Sequence, residues 1–387
     1  MAWTRWLSTR LARRGAAPGR RALADPPREA GPLPDEAAWR PLVVPGKTPP
    51  WHETRATLER VEAACRSNPL AARLVGMTTD FVVGSGARLM GHPFAARFWH
   101  DPLNALDGRI HRWCDELSRA GELFLVLSRN PVTGMSYVRE VPASRIDQVE
   151  TDPDDLEREV RYHQLTDDPE GLWWMAPAAE GREAPDDEPD QVMLHYSINR
   201  QVGEVRGRSD LAQVVAWLDR YDLWLEDRVR ISRYKGAYLW HVQVRGALPG
   251  HLEARRALYA RIPQSGSIIV TDGNEEWRAI QPQIGADDVE ADGKAIRLMI
   301  AAGVGVPLHF LAEGESANRA TAREMGTATF RHFRHRQYVF AGVLEDVVRW
   351  AARRAGLGEV DVRVTLEPVP GPADDAAPGA DAGGEAP

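Results

Sequence analysis

The chain is poor in the residues and motifs that carry most enzymatic chemistry. Its 387 residues include only two cysteines, Cys65 and Cys114, which are too few and too isolated for a disulfide framework or a zinc site. It contains no Gly-x-Ser-x-Gly nucleophile elbow, no phosphate-binding loop and no dinucleotide fingerprint. The sequence therefore predicts no catalytic residue, no cofactor and no metal, and we do not expect an enzyme.

Long apolar runs and an even spread of charge are also missing. No run approaches the roughly 20 apolar residues that a membrane-spanning helix needs, so no membrane partner is predicted. The net charge is −8, but residues 167–190 alone hold nine acidic residues and one basic residue. The rest of the chain is nearly balanced, and the acidic segment is predicted to be a loop with Trp173, Trp174 and Met175 in its middle.

The two ends of the chain have compositions typical of extended segments. Residues 1–50 are rich in Arg, Pro and Ala, which predicts an extended arm and not a domain. Residues 367–387 consist mainly of Pro, Ala, Gly and acidic residues and are predicted to be a disordered tail.

Helices and strands both occur between these ends. Helical spacing begins near Glu53, and Asn68 followed by Pro69 predicts the capped start of a second helix. A helical stretch interrupted at Gly108 is expected between Trp99 and Gly121. The predicted strands that follow are Glu122–Ser128, Tyr137–Pro142, Arg158–Gln164 and Val192–Tyr196.

The longest predicted helix spans Asp210–Lys235, which contains neither Gly nor Pro. It would be about 40 Å long, with Ser209 able to cap its start. Its apolar residues form two stripes, one of Leu211, Val214, Val215, Leu218, Leu225 and Val229 and the other of Trp217, Tyr221, Trp224 and Ile231. Two stripes on one helix predict packing neighbours on two sides, although a central helix of an ordinary globular core has the same pattern.

A small β-rich unit at 237–285 separates this helix from a second helical segment at Asp287–Gly303. A corner at Val306-Pro307 and a short polar loop then lead into the last helix, predicted at Ala320–Ala355, and a strand at Val360–Leu366. The loop between the two rigid helices carries no nucleophile, metal cluster or phosphate cradle. Bond-making chemistry therefore does not explain it.

His332 and His335 are the one pair whose spacing suggests a metal ligand set. They lie three residues apart on the last predicted helix, which could bring two imidazoles to one ion. No third ligand is nearby, and Arg331, Arg334 and Arg336 surround them. A basic helix face exposed to solvent or to an anion is the favoured interpretation.

Three segments, in this order, resemble the portal proteins of tailed bacteriophages and gene transfer agents, the HK97-type portal family. The first runs from Asn68-Pro69 through Val82-Val83-Gly84-Ser85-Gly86, and the second is Gly207-Arg208-Ser209-Asp210-Leu211. The third runs from Gly305-Val306-Pro307 through Asn318-Arg319-Ala320-Thr321-Ala322-Arg323-Glu324 to Phe333 and Gln337. The match covers roughly Glu53 to Ala355, and the β-rich unit between two helices has the place that this family gives it.

The resemblance implies an α+β portal-like fold that assembles into a ring. Its parts by position are an extended arm (1–50), an α/β wing (51–206), two stem helices (207–236 and 286–303), a small β-rich clip (237–285), a tunnel loop with the following helix (304–330), last wing elements with a reduced helical crown (331–366), and the tail (367–387). The ring, typically of twelve subunits, would form the DNA channel at one capsid vertex.

The resemblance also implies specific contacts. The tunnel loop that approaches double-stranded DNA corresponds to Leu311, Ala312, Glu313, Gly314, Glu315, Ser316, Ala317, Asn318 and Arg319. Its mixed, slightly acidic composition suits sliding better than tight binding. Packing between the stems of sibling subunits is expected at Trp217, Tyr221, Trp224 and Leu225.

The implied partners are the terminase large subunit as packaging motor, the head-tail adaptor, the major capsid protein and further copies of the chain. The implied location is the virion, after assembly in the bacterial host cytoplasm. Two other functions stay open from the sequence. A metal-dependent nucleic-acid enzyme would need a carboxylate cluster, and a non-viral oligomeric scaffold or adaptor would form a small oligomer without a central hole.

Overall fold

The computed structural model describes residues 48–369 apart from residues 154, 178–189, 237–238, 247, 260–272, 281–288 and 312–318. The predictions of an arm at 1–47, of a disordered tail from residue 370 and of a strand at 267–270 lie outside the described residues. Val369 is buried, so the packed chain continues past the predicted boundary at residue 366.

The first two helices are α1 (Trp51–Ser67) and α2 (Pro69–Val82). The Asn68 side chain accepts hydrogen bonds from the backbone N–H groups of Leu70 (2.8 Å) and Ala71 (3.1 Å), and Pro69 occupies the first helical position. The Asn68 side chain pairs two backbone N–H donors that would otherwise be unpaired at the helix start, and Pro69 has no N–H donor to pair. The predicted cap is therefore confirmed.

The strand β1 (Ala87–Gly91) pairs antiparallel with the last strand, β10 (Val362–Leu366). The helical stretch predicted from Trp99 to Gly121, with a break at Gly108, is wrong in its start and in the position of its break. Helix α3 (Pro93–Trp99) ends at Trp99, and α4 (Leu106–Ala120) runs through Gly108 without interruption. The break lies between them because the buried Asn104 side chain bonds the Phe98 and Ser136 carbonyls and the Val138 N–H.

Two antiparallel sheets follow. The first has the order β3-β2-β7, from β2 (Glu122–Arg129), β3 (Ser136–Val141) and β7 (Gln191–Ser197). The second has the order β4-β5-β6, from β4 (Ile146–Asp152), β5 (Asp155–Gln164) and β6 (Leu172–Met175).

The predicted loop around Trp173, Trp174 and Met175 is wrong, because these residues belong to β6. Trp174 faces the core and its indole N–H donates to the Gln164 side chain at 2.7 Å. Trp173 lies on the other face, where the Arg161 guanidinium sits 4.1 Å from its ring centroid. These cross-strand contacts offset the acidic, turn-forming surroundings that favoured a loop.

The second half of the chain contains α5 (Val215–Gly236), β8 (Leu239–Val244), α6 (Pro249–Leu258), β9 (Glu275–Ile280), α7 (Val289–Val304) and α8 (Arg319–Arg354). β8 and β9 pair antiparallel. The long helix begins at Val215 and not at Asp210, and residues 210–214 form turns. Ser209 accepts a hydrogen bond from Leu211 N–H, so it caps these turns.

The core lies where α2, α3, α4 and α8 pack on the β3-β2-β7 sheet. Its largest fully buried side chains are Phe98, Trp99, Trp113, Phe333 and Phe340. Within the described ranges, no helix is both long and apolar enough to span a bilayer. Helices and strands occur in separate regions with antiparallel sheets, as the predicted α+β class requires.

Candidate functional site: the α5–α7 pair and the start of α8

Helices α5 and α7 pack against each other, and one aromatic side chain fixes how closely they approach. A Cβ atom on Gly293 of α7 would lie 2.5 Å from Cη2 of Trp224 on α5, so only glycine admits the indole at this position. Tyr221 stacks on Trp224 with 5.7 Å between ring centroids and 11° between planes. The aromatic stripe predicted from the sequence thus has a partner within the chain.

Three of the four residues expected to pack between subunits are half-buried in this way. Trp217 and Tyr221 pack on the core, the Arg220 guanidinium lies 4.6 Å from the Trp217 ring centroid, and Trp224 lies against α7. Leu225 is exposed. Their contact with a sibling subunit stays a prediction, and for Trp217, Tyr221 and Trp224 it would have to involve the part of each ring that α7 and the core leave accessible.

Both helices of the pair also expose apolar side chains. Leu223 and Val229 of α5 are 61% and 52% exposed, and Leu298 and Met299 of α7 are each 48% exposed. Exposed apolar residues that recur on neighbouring elements commonly mark a contact with another molecule. The sequence placed Val229 in one of the two apolar stripes of this helix and did not single out Leu223 or Leu298.

Just before the turns that lead into α5, the backbone at Gly207 and Arg208 packs closely against the backbone at Gly121. A Cβ atom on Gly207 would lie 2.2 Å from the Gly121 carbonyl oxygen, and one on Gly121 would lie 2.2 Å from the Arg208 backbone. The Gly121 carbonyl accepts from Ile198 N–H, and Ile198 in turn accepts from Arg208 N–H. The Gly207 of the second resembling segment is thus required by packing at the junction between the wing and α5.

Asp210 ties the same junction to α8. Its carboxylate accepts hydrogen bonds from Arg336 (2.8 Å), Asn199 (2.7 Å) and Ser118 (2.9 Å). Arg336 is buried, so this ion pair is shielded from water and joins three distant parts of the chain. It also explains why residues 210–214 turn before α5 begins.

The elements on either side of the loop between α7 and α8 both contact Phe81 of α2. Phe310 stacks on Phe81 at 6.0 Å, and Phe330 meets Phe81 edge-on at 5.9 Å. Thr329 Oγ1 donates to the Gly305 carbonyl at 3.0 Å. These contacts hold the segment just before the loop and a point about 16 Å along α8 against the same part of the core.

Of the nine residues predicted for the tunnel loop, the structure describes the first and the last. Leu311 ends a 3₁₀ helix (Leu308–Leu311) and is buried, and Arg319 begins α8. Ala312, Glu313, Gly314, Glu315, Ser316, Ala317 and Asn318 lie outside the described residues. Their approach to DNA stays a prediction.

A buried ionic network in residues 51–207, which include the predicted wing (51–206), was not foreseen from the sequence. Arg206 donates to both carboxylate oxygens of Glu122, with Nη2 2.6 Å from Oε2, and Gly207 N–H donates to Oε1 at 3.0 Å. His195 Nε2 lies 3.3 Å from Glu122, and its Nδ1 lies 2.8 Å from Glu159. The sequence did contain a signal for this network, because Glu122 begins one largely apolar strand and His195 lies inside another.

The network holds its members in charged forms. Burial raises the pKa of Glu122, but Arg206 and His195 outweigh it and lower that pKa to about 2. Burial lowers the pKa of His195, but Glu159 and Glu122 outweigh it and raise that pKa to about 9. The stabilisation from His195 is therefore complete below about pH 6.5 and is lost as the pH rises through 9.

His332 and His335 do not form a metal site with other described residues. Among those residues, no group of three or more His, Cys, Asp or Glu side chains could hold an ion. Burial and Arg336 lower the pKa of His332. Cys114 is buried and burial raises its pKa to about 12, so it is an unreactive core thiol.

Comparison with known proteins shows that solved structures share this fold. No protein-family model and no curated protein sequence matches the chain. A chain in the virion of a native gene transfer agent (GTA) particle aligns with a TM-score of 0.59 and 15% identity over 83% of this chain and 86% of that chain. A chain in the neck of a native GTA particle, computed with C12 symmetry, aligns with a TM-score of 0.57 and 16% identity over 87% and 88%.

An HK97-family phage portal protein from Corynebacterium diphtheriae aligns more distantly, with a TM-score of 0.42 and 14% identity over 82% of this chain and 98% of that chain. The two GTA alignments are far below the identity at which function can be transferred, and they establish the fold. The chain has the α+β fold of a chain from the GTA particle neck, and the expected portal-like architecture is confirmed.

Proposed function

We propose that this chain is the subunit of a portal ring at one capsid vertex, where it forms the channel for double-stranded DNA during packaging, retention and ejection. One observation carries the proposal. The α5–α7 pair exposes Leu223, Val229, Leu298 and Met299, and sibling copies arranged around an axis would cover them. The similarity to a neck chain in a particle computed with C12 symmetry supports a ring of about twelve copies.

The finer assignments form part of the same proposal. The clip at 237–285 docks the terminase large subunit and later the head-tail adaptor, and the wing faces the major capsid protein. The protein acts in the virion after assembly in the bacterial host cytoplasm. It acts as a structural conduit and not as an enzyme.

Negative-stain imaging of the purified full chain, combined with mass photometry, tests the ring. We expect particles of high rotational symmetry with an axial opening wide enough for a duplex. A monomer at micromolar concentration, or a small oligomer without a hole, would contradict the proposal and favour a scaffold or adaptor. Magnesium-dependent cleavage of plasmid DNA would favour the nucleic-acid enzyme.

We also propose that the segment Leu311–Arg319 is the tunnel loop. Phe310, just before this segment, and Phe330, in the helix that follows it, both pack on Phe81, which supports a loop between two packed elements. A variant that lacks Glu313–Ala317 should still form rings but should package or retain less DNA. Unchanged packaging by this variant would remove the loop from the mechanism.

A further inference from the structure

Helix α8 presents a basic stripe, defined as Arg331, Arg334, His335 and Tyr338, on the side opposite the core. These residues are spaced by three, one and three positions, so they lie on one helix face over about 10 Å. All four are exposed, and Tyr338 is 78% exposed. Between them, Phe333 and Arg336 are buried against the rest of the chain.

The two arginines of the stripe have no counterion among the described residues. Neither guanidinium lies within 4.0 Å of a carboxylate there, whereas the exposed Arg55, Arg60 and Arg66 are paired. The exposed Arg97 has no such partner among the described residues either, but it has no second unpaired arginine one helical turn away on its short helix. The sequence of α8 explains this, since no acidic residue occurs between Glu324 and Glu345. Arg331 and Arg334 therefore find no acidic neighbour on their own helix.

The composition of the stripe fits a polyanion better than a protein surface. Contacts between subunits need an apolar centre, and the α5–α7 pair supplies one through Leu223 and Leu298. The stripe has no aliphatic side chain. Arginine, histidine and tyrosine are side chains that bind phosphate oxygens by charge and by donated hydrogen bonds.

The position of the stripe in the chain connects it with the proposed channel. α8 begins at Arg319, directly after the proposed tunnel loop, and Arg331 follows after about 18 Å of helix. A ring would repeat the two free arginines in every subunit and so produce a belt of positive charge. The loop itself contains two glutamates and one arginine, so the belt would supply an attraction that the loop lacks.

We propose that the basic stripe of α8 contacts the phosphate backbone of the duplex in the channel, without reading its sequence. This inference rests on the proposed portal function and adds the residues that hold the DNA. Contacts of this kind release counterions, so they weaken steeply as salt increases.

The test measures binding of a short blunt DNA duplex to the assembled full chain by fluorescence anisotropy, between about 50 and 200 mM salt. The variant Arg331→Gln with Arg334→Gln should bind about tenfold more weakly or worse at low salt, with a log–log salt slope smaller by about 0.9 for each phosphate that is no longer neutralised. Arg331→Lys with Arg334→Lys should keep the slope. The control Arg66→Gln with Arg97→Gln removes two exposed arginines from α1 and α3 and should bind as the wild type does.

Imaging of each variant separates the possible results. If the glutamine variant forms normal rings and binds DNA with unchanged affinity and slope, the inference is overturned and the portal function stands. If that variant forms no rings, the stripe is a subunit contact and the inference is also overturned. If the wild type forms no rings, the proposed function fails and the inference fails with it.

Discussion

The wing and the α5–α7 pair differ in where their side chains find partners. In the wing, groups that are costly to bury are satisfied within the chain. Glu122 is 1% exposed, and it accepts hydrogen bonds from Arg206 and Gly207 and lies beside His195. Buried charges of this kind are tolerated only when each has its partner in place.

In the α5–α7 pair, the side chains in an unfavourable environment are apolar ones that are exposed to solvent. Trp224 is seated on Gly293, but Leu223 and Leu298 have solvent where a core would have neighbours. The buried Asp210–Arg336 ion pair holds the pair firmly to the wing and α8 at its base. The pair thus keeps apolar side chains available for contact with another molecule.

The difference predicts that the interactions of residues 51–206 stabilise the single chain, while the exposed apolar surface of the pair gains its stabilisation on association. A substitution that removes a buried interaction of the wing should therefore lower the stability of one chain. A substitution on the outward side of the pair should lower assembly and leave the single chain nearly unchanged.

The largest effect is expected for Arg206→Ala. The substitution leaves the Glu122 carboxylate buried without its main counterion, which in comparable sites costs about 3–5 kcal/mol of unfolding free energy. It also removes the guanidinium that lies 5.4 Å from the Trp51 ring centroid. Chemical denaturation of the dilute protein, followed by circular dichroism, measures the change.

Arg66→Ala is the matched control. Arg66 pairs with Glu62 on the exposed face of α1, where an ion pair contributes about 0–1 kcal/mol. Equal losses of stability for the two variants would show that burial of the Glu122 network does not govern the stability of the wing.

Local sequence signals predicted the elements whose partners are near in the chain. The Asn68–Pro69 cap and the apolar strand after Gly121 were both found, because each depends on adjacent residues. β1 was missed because its partner is β10, with Leu89 opposite Val364. A five-residue strand stabilised by so distant a partner has no local pattern strong enough to reveal it.

The same limit applies to the candidate site. Helical periodicity found the stripe of Trp217, Tyr221 and Trp224, but periodicity does not say whether α7 or a sibling subunit covers it. In the fold, Trp224 packs on Gly293 of α7, a contact between residues far apart in the sequence. Contact of the remaining accessible part of the ring with a sibling subunit stays a prediction. The start of α5 was misplaced by five residues because Asp210 is held by Arg336, a residue on the last helix.

The smallest effect on chain stability, and the sharpest test of the comparison, is expected for Leu223→Ser with Leu298→Ser. Both side chains are about half exposed or more, so each substitution should change the unfolding free energy of the dissociated chain by only about 0.5 kcal/mol. Assembly should suffer far more, because every subunit loses apolar surface on both helices of the pair. Mass photometry should record a shift from rings to single chains, while denaturation curves stay nearly superimposed.

Leu103→Ser, on the similarly exposed Leu103 of the wing, should leave both measurements unchanged. Intact rings made from a strongly destabilised chain would mean that Leu223 and Leu298 serve the fold of one subunit, and the proposed division between wing and helical pair would be wrong.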